Sequence, residues 1–139
     1  MKVFYFSEEE ILFIHYTVME MYNDSDQAGI KQYQSFQTML HRPKTELYGQ
    51  EMYPSIPEKA CCYYHSIARG GHIFRNGNKR TALTVFDSFL TLNNYKLTLT
   101  SKQAEDFTVY LAYDDKFKEN DCIHYIIEEI DEYIQPLEG

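Results

Sequence analysis

The segment that decides the fold combines a histidine, two amides, a glycine and two adjacent cations in eleven residues, and it reads His72-Ile73-Phe74-Arg75-Asn76-Gly77-Asn78-Lys79-Arg80-Thr81-Ala82. Beyond Asn78 the apolar residues follow helical spacing, at Ala82, Val85, Phe86, Phe89 and Leu90. Asn93-Asn94 are typical helix-stop residues. The pattern therefore predicts a helix whose cap and first turn contain Asn78, Lys79 and Arg80.

The start of such a helix is a candidate anion site. Its free backbone N–H groups and the positive end of the helix dipole both favour negative charge. Lys79 and Arg80 oppose the dipole, at about 0.3–1 kcal/mol per charge, unless an anion joins them. Gly77 permits a close backbone approach or a positive φ, and histidine, here His72, is the side-chain type suited to proton transfer near neutral pH. The segment is not a Walker P-loop, because Arg80 stands where that motif has Ser or Thr.

Composition limits the classes of function. The 139 residues fit one domain, residues 1–139, and the net charge of −8 argues against a nucleic-acid-binding surface. No apolar run is long enough to span a membrane, and no signal-peptide pattern is present. The cysteines, Cys61, Cys62 and Cys122, are odd in number and two are adjacent, which favours reduced thiols and a cytoplasmic location.

Helical patterns dominate the rest of the chain. Helix starts are predicted at Ser7 with Glu10, at Ser55 with Glu58, at Thr100-Ser101 and at Asn120-Asp121, the last helix running to Ile134. A short helix is predicted from about Gly29 to Leu40, and Gly70-Gly71 is expected to end the helix that begins at Ser55. Residues 41–54 carry the one strand signal, a possible hairpin. The fold class is therefore all-α, a bundle of about six helices.

The motif loop, residues 72–82, resembles the signature of the Fic/Doc superfamily, and specifically its death-on-curing (Doc) branch. Fic proteins carry H-x-F-x-[D/E]-G-N-G-R, and the Doc branch replaces the last glycine by lysine and continues K-R-T-A. His72, Phe74 and the run from Gly77 to Ala82 match in register, except that Asn76 replaces the acidic residue. Weaker similarity extends over roughly residues 4–134, including His41-Arg42-Pro43 and Tyr53-Pro54.

The resemblance implies a compact helical bundle with a small β-hairpin flap, within residues 41–54, that positions the target protein. It also implies a Doc-type toxin of a toxin–antitoxin module that transfers the γ-phosphate of ATP to a protein hydroxyl. In the Doc branch this acceptor is a threonine of elongation factor Tu, and translation stops. The implied partner is a short Phd-like antitoxin.

The resemblance also assigns roles within the motif. His72 would be the general base, and Lys79 and Arg80 would stabilise the phosphoryl charge. The nucleotide would bind at Gly77, Asn78, Lys79 and Arg80, and Asn76 would hold Mg²⁺ in part. An amide oxygen can ligate Mg²⁺ but brings no charge, so weaker metal binding is expected.

Two alternatives remain open at the level of sequence. The first is Fic-type adenylyl transfer to a protein hydroxyl, against which Lys79 argues, because this lysine would fill the space that Fic proteins leave for phosphates. The second is a catalytically weakened binding module that pairs with an antitoxin, which the substitution at Asn76 favours.

Overall fold

The computed structural model describes residues 2–69 and 72–137. Two helices, α3 (Ile56–Arg69) and α4 (Asn78–Leu92), pack along each other at the centre of the fold. Their contact is largely aromatic. The ring of Tyr64 stacks on Phe86 with centroids 4.2 Å apart, and Tyr63 lies against Phe89 at 5.0 Å. Because aromatic pairs of this kind add to the free energy of burial, they fix the position of the motif helix α4 on α3.

Four further helices surround this central pair within the described residues. They are α1 (Glu8–Met21), α2 (Tyr33–His41), α5 (Ser101–Tyr113) and α6 (Cys122–Ile130). Helix α1 packs on α4, α2 and α6 pack on α3, and α5 contacts both central helices. The predicted all-α class with about six helices is confirmed. The extent of the single domain, residues 1–139, stays a prediction.

Local capping chemistry sets several helix starts. The predicted capping boxes at Ser7 with Glu10 and at Ser55 with Glu58 both form, with each serine hydroxyl and glutamate carboxylate accepting a backbone N–H. Thr100 forms a third with Gln103. These boxes satisfy N–H groups that the helix itself leaves unpaired. The predicted stop at Gly70-Gly71 lies outside the described residues.

The expected hairpin within residues 41–54 is present. Strands β1 (Glu46–Leu47) and β2 (Gln50–Glu51) pair antiparallel around a two-residue turn, Tyr48-Gly49, with φ of 53° and 77°. Positive φ at both positions defines the type I′ turn that suits a tight hairpin. Lys59 of α3 is fully buried beneath the hairpin and donates to Glu51 Oε1 at 2.8 Å and to the Tyr53 carbonyl at 2.5 Å. This lysine ties the flap to the helix core.

Helix α2 begins later than the prediction of Gly29. Gly29 has φ of +124°, which a helix does not allow, and Ile30 forms an isolated antiparallel bridge with Phe74. The segment before α2 therefore runs as extended chain against the motif loop.

The prediction that the last helix runs to Ile134 is wrong. Helix α6 ends at Ile130, and the chain continues as a short 3-10 turn, Asp131–Tyr133, and strand β4 (Ile134–Pro136). Strand β4 pairs antiparallel with β3 (Tyr95–Leu97), with Leu97 opposite Ile134. Ile134 is apolar because it is buried as part of strand β4, and its helical spacing from Ile130 does not reflect a longer helix. None of the described helices is both long and apolar enough to cross a membrane.

Candidate functional site

The motif helix α4 begins without a side-chain cap. Gly77 occupies the N-cap position with φ 72° and ψ 23°, and among the described residues no side chain caps the backbone N–H groups of the first turn. A glycine adopts this left-handed conformation without steric cost. The backbone N–H groups of Asn78, Lys79 and Arg80 therefore have no side-chain cap among the described residues, and their role as an anion site stays a prediction.

The side chain of Asn78 shapes the loop that precedes the helix. Its Oδ1 accepts the Phe74 N–H at 2.9 Å, and its Nδ2 donates to the Phe74 carbonyl at 3.0 Å. Both ends of the amide are therefore used within the loop, and the nucleotide-binding role of Asn78 stays a prediction.

A buried histidine supports the motif from below. The ring of His15 stacks on Phe74 at 3.9 Å with an interplanar angle of 13°. Its Nε2 accepts the Gly29 N–H at 3.0 Å, so Nδ1 carries the proton and donates to Thr81 Oγ1 at 3.0 Å. Burial, with the nearby Arg80 charge, lowers the pKa of His15 to about 4, and the ring is neutral. The sequence marks His15 only as a packing or surface residue, although it lies on the same helical face as Ile11.

A bracing segment, residues 24–30, holds the motif loop from the side. Gln27 Oε1 accepts from Asn76 Nδ2 at 2.5 Å, and the Gly29 carbonyl accepts the Arg75 N–H at 2.9 Å. The Ala28 carbonyl accepts from Arg75 Nη1 at 3.3 Å. These contacts join positions that are far apart in the chain.

Both predicted cations of the first turn have partners. Arg80 Nη2 lies 3.2 Å from Asp24 Oδ2, and the guanidinium carbon of Arg80 lies 4.5 Å from the centre of the Tyr22 ring. Lys79 Nζ donates to the Tyr113 hydroxyl at 3.0 Å and lies 5.1 Å from the centre of that ring. The expectation that these charges stand uncompensated in the empty protein is therefore wrong for Arg80, since Asp24 supplies the anion.

One cavity of about 640 Å³ brings all six predicted site residues together: His72, Asn76, Gly77, Asn78, Lys79 and Arg80. Arg75 and Arg69 line it as well, and none of its described lining residues is acidic. The concentration of cations is notable in a chain of net charge −8. The positive charge of such a cavity favours binding of a polyanion, of which a nucleoside triphosphate is one example.

His72 and Arg69 both line the cavity. His72 is exposed and has φ of 57°, a left-handed conformation that is uncommon for a residue with a side chain. Strain of this kind is often found at functional positions. Arg69 is fixed by donating to the carbonyls of Leu111 and Asp114 at 3.0 and 2.5 Å, and so holds the end of α5 in place.

The side chains at the predicted metal position do not fit a cation held by protein carboxylates. Asn76 Oδ1 accepts the Gly77 N–H at 2.7 Å, and its Nδ2 is bound to Gln27. The described residues contain no group of three or more His, Cys, Asp or Glu side chains that could hold a metal ion. Magnesium prefers oxygen donors and is usually bound through carboxylates, and none of the described residues that line the cavity with Asn76 is acidic. The metal-binding role of Asn76 stays a prediction.

A second polar cluster lies outside this cavity. Arg42, which the resemblance placed at the border of the flap, donates to His65 Nδ1 and Ser66 Oγ, both at 2.9 Å. His65 Nε2 donates to the Phe117 carbonyl at 2.9 Å, and burial lowers the His65 pKa to about 4. These residues connect α3 to the segments at the flap and after α5, which is a structural role.

Comparisons with known proteins give one family. The model of the Fic/DOC family matches residues 5–90, which include the whole motif loop. A relative named Toxin Doc, from Mycolicibacterium smegmatis, is 34% identical over 85 residues, which is 61% of this chain and 60% of the relative. The match thus spans less than two thirds of that relative's length. No solved structure matches the chain. On the extent of the family match, the chain belongs to the Fic/Doc family.

Proposed function

We propose that this protein is a Doc-type toxin of a toxin–antitoxin module, which transfers the γ-phosphate of ATP to a protein hydroxyl. The observation that carries the proposal is the cavity in which His72, the open N-terminus of α4 and four cationic side chains meet, with no acidic residue in its described lining. Family members generally use ATP with Mg²⁺. Similarity to a toxin supports the biological role.

His72 is the proposed general base. It would accept the proton of the acceptor hydroxyl while the hydroxyl oxygen forms a bond to the γ-phosphorus and the bond between that phosphorus and the β-phosphate oxygen breaks, releasing ADP. General-base catalysis of this kind contributes about 10²–10⁴-fold. The charge on the transferred phosphoryl group would be stabilised by Lys79, Arg80 and the backbone N–H groups of the first turn.

Lys79 is the residue that favours γ- over α-phosphate chemistry. Its side chain crosses from α4 to Tyr113 at the end of α5, and so occupies space beside the helix N-terminus. In Fic proteins a small residue at this position leaves room for the phosphates of a nucleotide from which AMP is transferred. With that space filled, ATP would bind reversed, and its terminal phosphate would face the acceptor.

The acceptor and the antitoxin remain part of the proposal. By resemblance to the Doc branch, the acceptor is a threonine of elongation factor Tu, positioned by the flap Glu46–Glu51, and its phosphorylation stops translation. A groove of about 340 Å³ adjoins the cavity, shares Lys79 and Arg80 with it, and is lined by the apolar residues Tyr22, Leu83 and Val109. Tyr22 and Val109 are 55% and 49% exposed. We propose this groove as the binding site of a Phd-like antitoxin segment.

Isotope transfer tests the enzymatic proposal. ATP labelled at the γ- or the α-phosphate is added to a bacterial lysate with the wild-type protein, with His72→Ala, or with the control variant His124→Ala, whose ring is exposed and paired with Glu128 on α6. We expect transfer from γ-labelled ATP by the wild type and by His124→Ala, and loss of about 10²–10⁴-fold in His72→Ala. Transfer from α-labelled ATP would identify adenylylation instead. No transfer of either label would favour the binding module.

Growth assays test the toxin–antitoxin proposal. We expect growth arrest on expression of the wild type, and relief on co-expression of a short Phd-like protein from a neighbouring reading frame. Val109→Glu should preserve toxicity but weaken relief, because a charge enters the apolar groove. Leu92→Glu is the matched control, since Leu92 is similarly exposed (43%) at the far end of α4. If the antitoxin relieves the growth arrest caused by Val109→Glu and by Leu92→Glu equally, the antitoxin binds outside this groove.

A further inference from the structure

The absence of a carboxylate from the described lining of the cavity changes how phosphate charge can be neutralised. A protein usually holds Mg²⁺ through one or two carboxylates, and the amide of Asn76 brings no charge and is already bound to Gly77 and Gln27. The side chain next to Asn76 in the sequence is a guanidinium, Arg75, which lines the same cavity. A cation therefore already stands beside the position where the wider family has its metal-binding acid.

Arg75 is held at the cavity by the bracing segment. Its backbone N–H donates to the Gly29 carbonyl, and its side chain passes over Gly29, where a Cβ atom would lie 3.8 Å from Arg75 Cδ. Its guanidinium then donates through Nη1 to the Ala28 carbonyl at 3.3 Å. This neutral contact orients the group and leaves most of its five N–H donors without a protein acceptor among the described residues.

The other cations of the cavity are committed more strongly. Arg80 is paired with Asp24, Lys79 with the Tyr113 hydroxyl, and Arg69 with two backbone carbonyls at the end of α5. Arg75 alone combines an exposed guanidinium, a single long hydrogen bond and a place next to Asn76. Guanidinium groups bind phosphate oxygens in a bidentate manner, so Arg75 can contact a di- or triphosphate directly.

We propose that Arg75 does in this chain what a protein-held metal ion does elsewhere: its guanidinium binds the phosphates of a nucleoside triphosphate, so that nucleotide binding does not require a divalent cation. The inference rests on the proposed function, because it assigns the phosphates of ATP to the same cavity. The role assigned to Arg75 is in nucleotide binding, and no catalytic step is assigned to a metal ion.

Calorimetric titration with ATP tests this proposal, once with excess EDTA and once with Mg²⁺. We expect the wild-type Kd to change by less than about threefold between the two conditions. Arg75→Gln should weaken ATP binding by about 10–100-fold in EDTA, because a charge-assisted hydrogen bond to the phosphates is lost. Added Mg²⁺ should restore part of the lost affinity. Arg75→Lys, which keeps the charge without the fork, should fall between the two.

The matched control is Lys31→Gln, which removes one exposed positive charge near the motif loop but outside the cavity lining. Its Kd should stay within about threefold of the wild type, as expected for a screened surface charge. Thermal melting of each variant confirms that it is folded.

The outcomes separate the two proposals. Wild-type binding that needs Mg²⁺, or unchanged binding by Arg75→Gln in EDTA, would overturn the role of Arg75 while leaving the nucleotide site in place. Absence of ATP binding under both conditions would overturn the proposed function together with this inference.

Discussion

The guanidinium of Arg80, in the first turn of the motif helix, lies 3.2 Å from the carboxylate of Asp24. Both side chains are about one third exposed, at 29% and 32%. Asp24 thus neutralises the Arg80 side chain, while the backbone N–H groups of the first turn keep no side-chain cap among the described residues. A phosphate that binds Arg80 must compete with this carboxylate.

The first prediction is that Asp24→Asn strengthens binding of ATP. The substitution releases Arg80 and removes a repelling charge, and partly exposed ion pairs contribute up to about 1 kcal/mol, so we expect a decrease in Kd of up to about fivefold. The free energy of unfolding should fall by no more than about 1 kcal/mol. Calorimetry and chemical denaturation measure the two effects.

Asp26→Asn is the control, because Asp26 is exposed and belongs to none of the ion pairs of the described residues. It removes the same charge from the same segment. An equal gain in ATP affinity in Asp26→Asn would attribute the effect to general electrostatics rather than to competition for Arg80.

The second prediction concerns Arg80→Gln. Because the variant loses Asp24 as a partner and the contact with the Tyr22 ring, we expect the empty protein to lose up to about 1 kcal/mol of stability. The rise in Tm on adding ATP should largely disappear, because ligand stabilises only the state to which it binds. Differential scanning fluorimetry with and without ATP measures both. An undiminished ATP-dependent rise would move the phosphates to another site.

The features that could be predicted from the sequence depend on residues close together in the chain, and those that could not depend on residues far apart. The capping boxes of α1, α3 and α5 involve residues three positions apart, so their chemistry is legible locally. The motif loop was likewise found as one continuous segment. The Asp24–Arg80 pair joins residues 56 positions apart, and nothing in either local sequence indicates it.

The strand pair β3–β4 was missed for a related reason. Each strand has three residues, too few to display alternation, and they pair across the length of two helices, α5 and α6. The apolar residue Ile134 continues the helical spacing of α6 and so favoured a longer helix. The pairing with Leu97, which decides the outcome, is visible only in three dimensions.

The third prediction separates backbone strain from steric overlap at two glycines. Gly77 and Gly49 have similar φ, +72° and +77°, but a Cβ on Gly77 would overlap Met19 Sδ, whereas a Cβ on Gly49 would meet nothing within 4 Å. We expect Gly49→Ala to cost about 1–2 kcal/mol, the cost of a left-handed alanine. Gly77→Ala should cost a further 1–3 kcal/mol or so for overpacking. Urea denaturation of the two variants measures the difference, and equal costs would mean that Met19 yields freely.

The fourth prediction is a pH dependence of stability that comes from two buried histidines. The pKa of His15 and that of His65 are each lowered from 6.5 to about 4, chiefly by burial. Between these pH values the unfolded chain binds protons that the folded protein does not, so stability is fully present above pH 6.5 and is lost as pH falls towards 4. The slope is at most about 1.4 kcal/mol per pH unit for each histidine.

Denaturation at pH 5.5, 6 and 7, a range that we choose to limit carboxylate titration, measures that slope. His15→Gln and His65→Gln should each reduce it by about half, although both variants lose stability at pH 7 through lost hydrogen bonds. A slope that neither substitution alters would show that these rings are not responsible.

The last prediction is that Asn76→Asp makes nucleotide binding depend on Mg²⁺. The new carboxylate adds a negative charge beside the phosphates, so ATP affinity in EDTA should fall, by about tenfold for a penalty of 1.4 kcal/mol. With Mg²⁺ present the same carboxylate attracts the ion, and affinity should recover or exceed that of the wild type.

Gln27→Glu provides the matched control, because it adds the same charge to the partner of Asn76 and can still accept from Asn76 Nδ2. If both variants respond to Mg²⁺ equally, the effect is one of charge in the region. If Asn76→Asp alone acquires the dependence, position 76 is a metal position from which this chain has lost the charge, and the guanidinium of Arg75 is the group left to balance the phosphates.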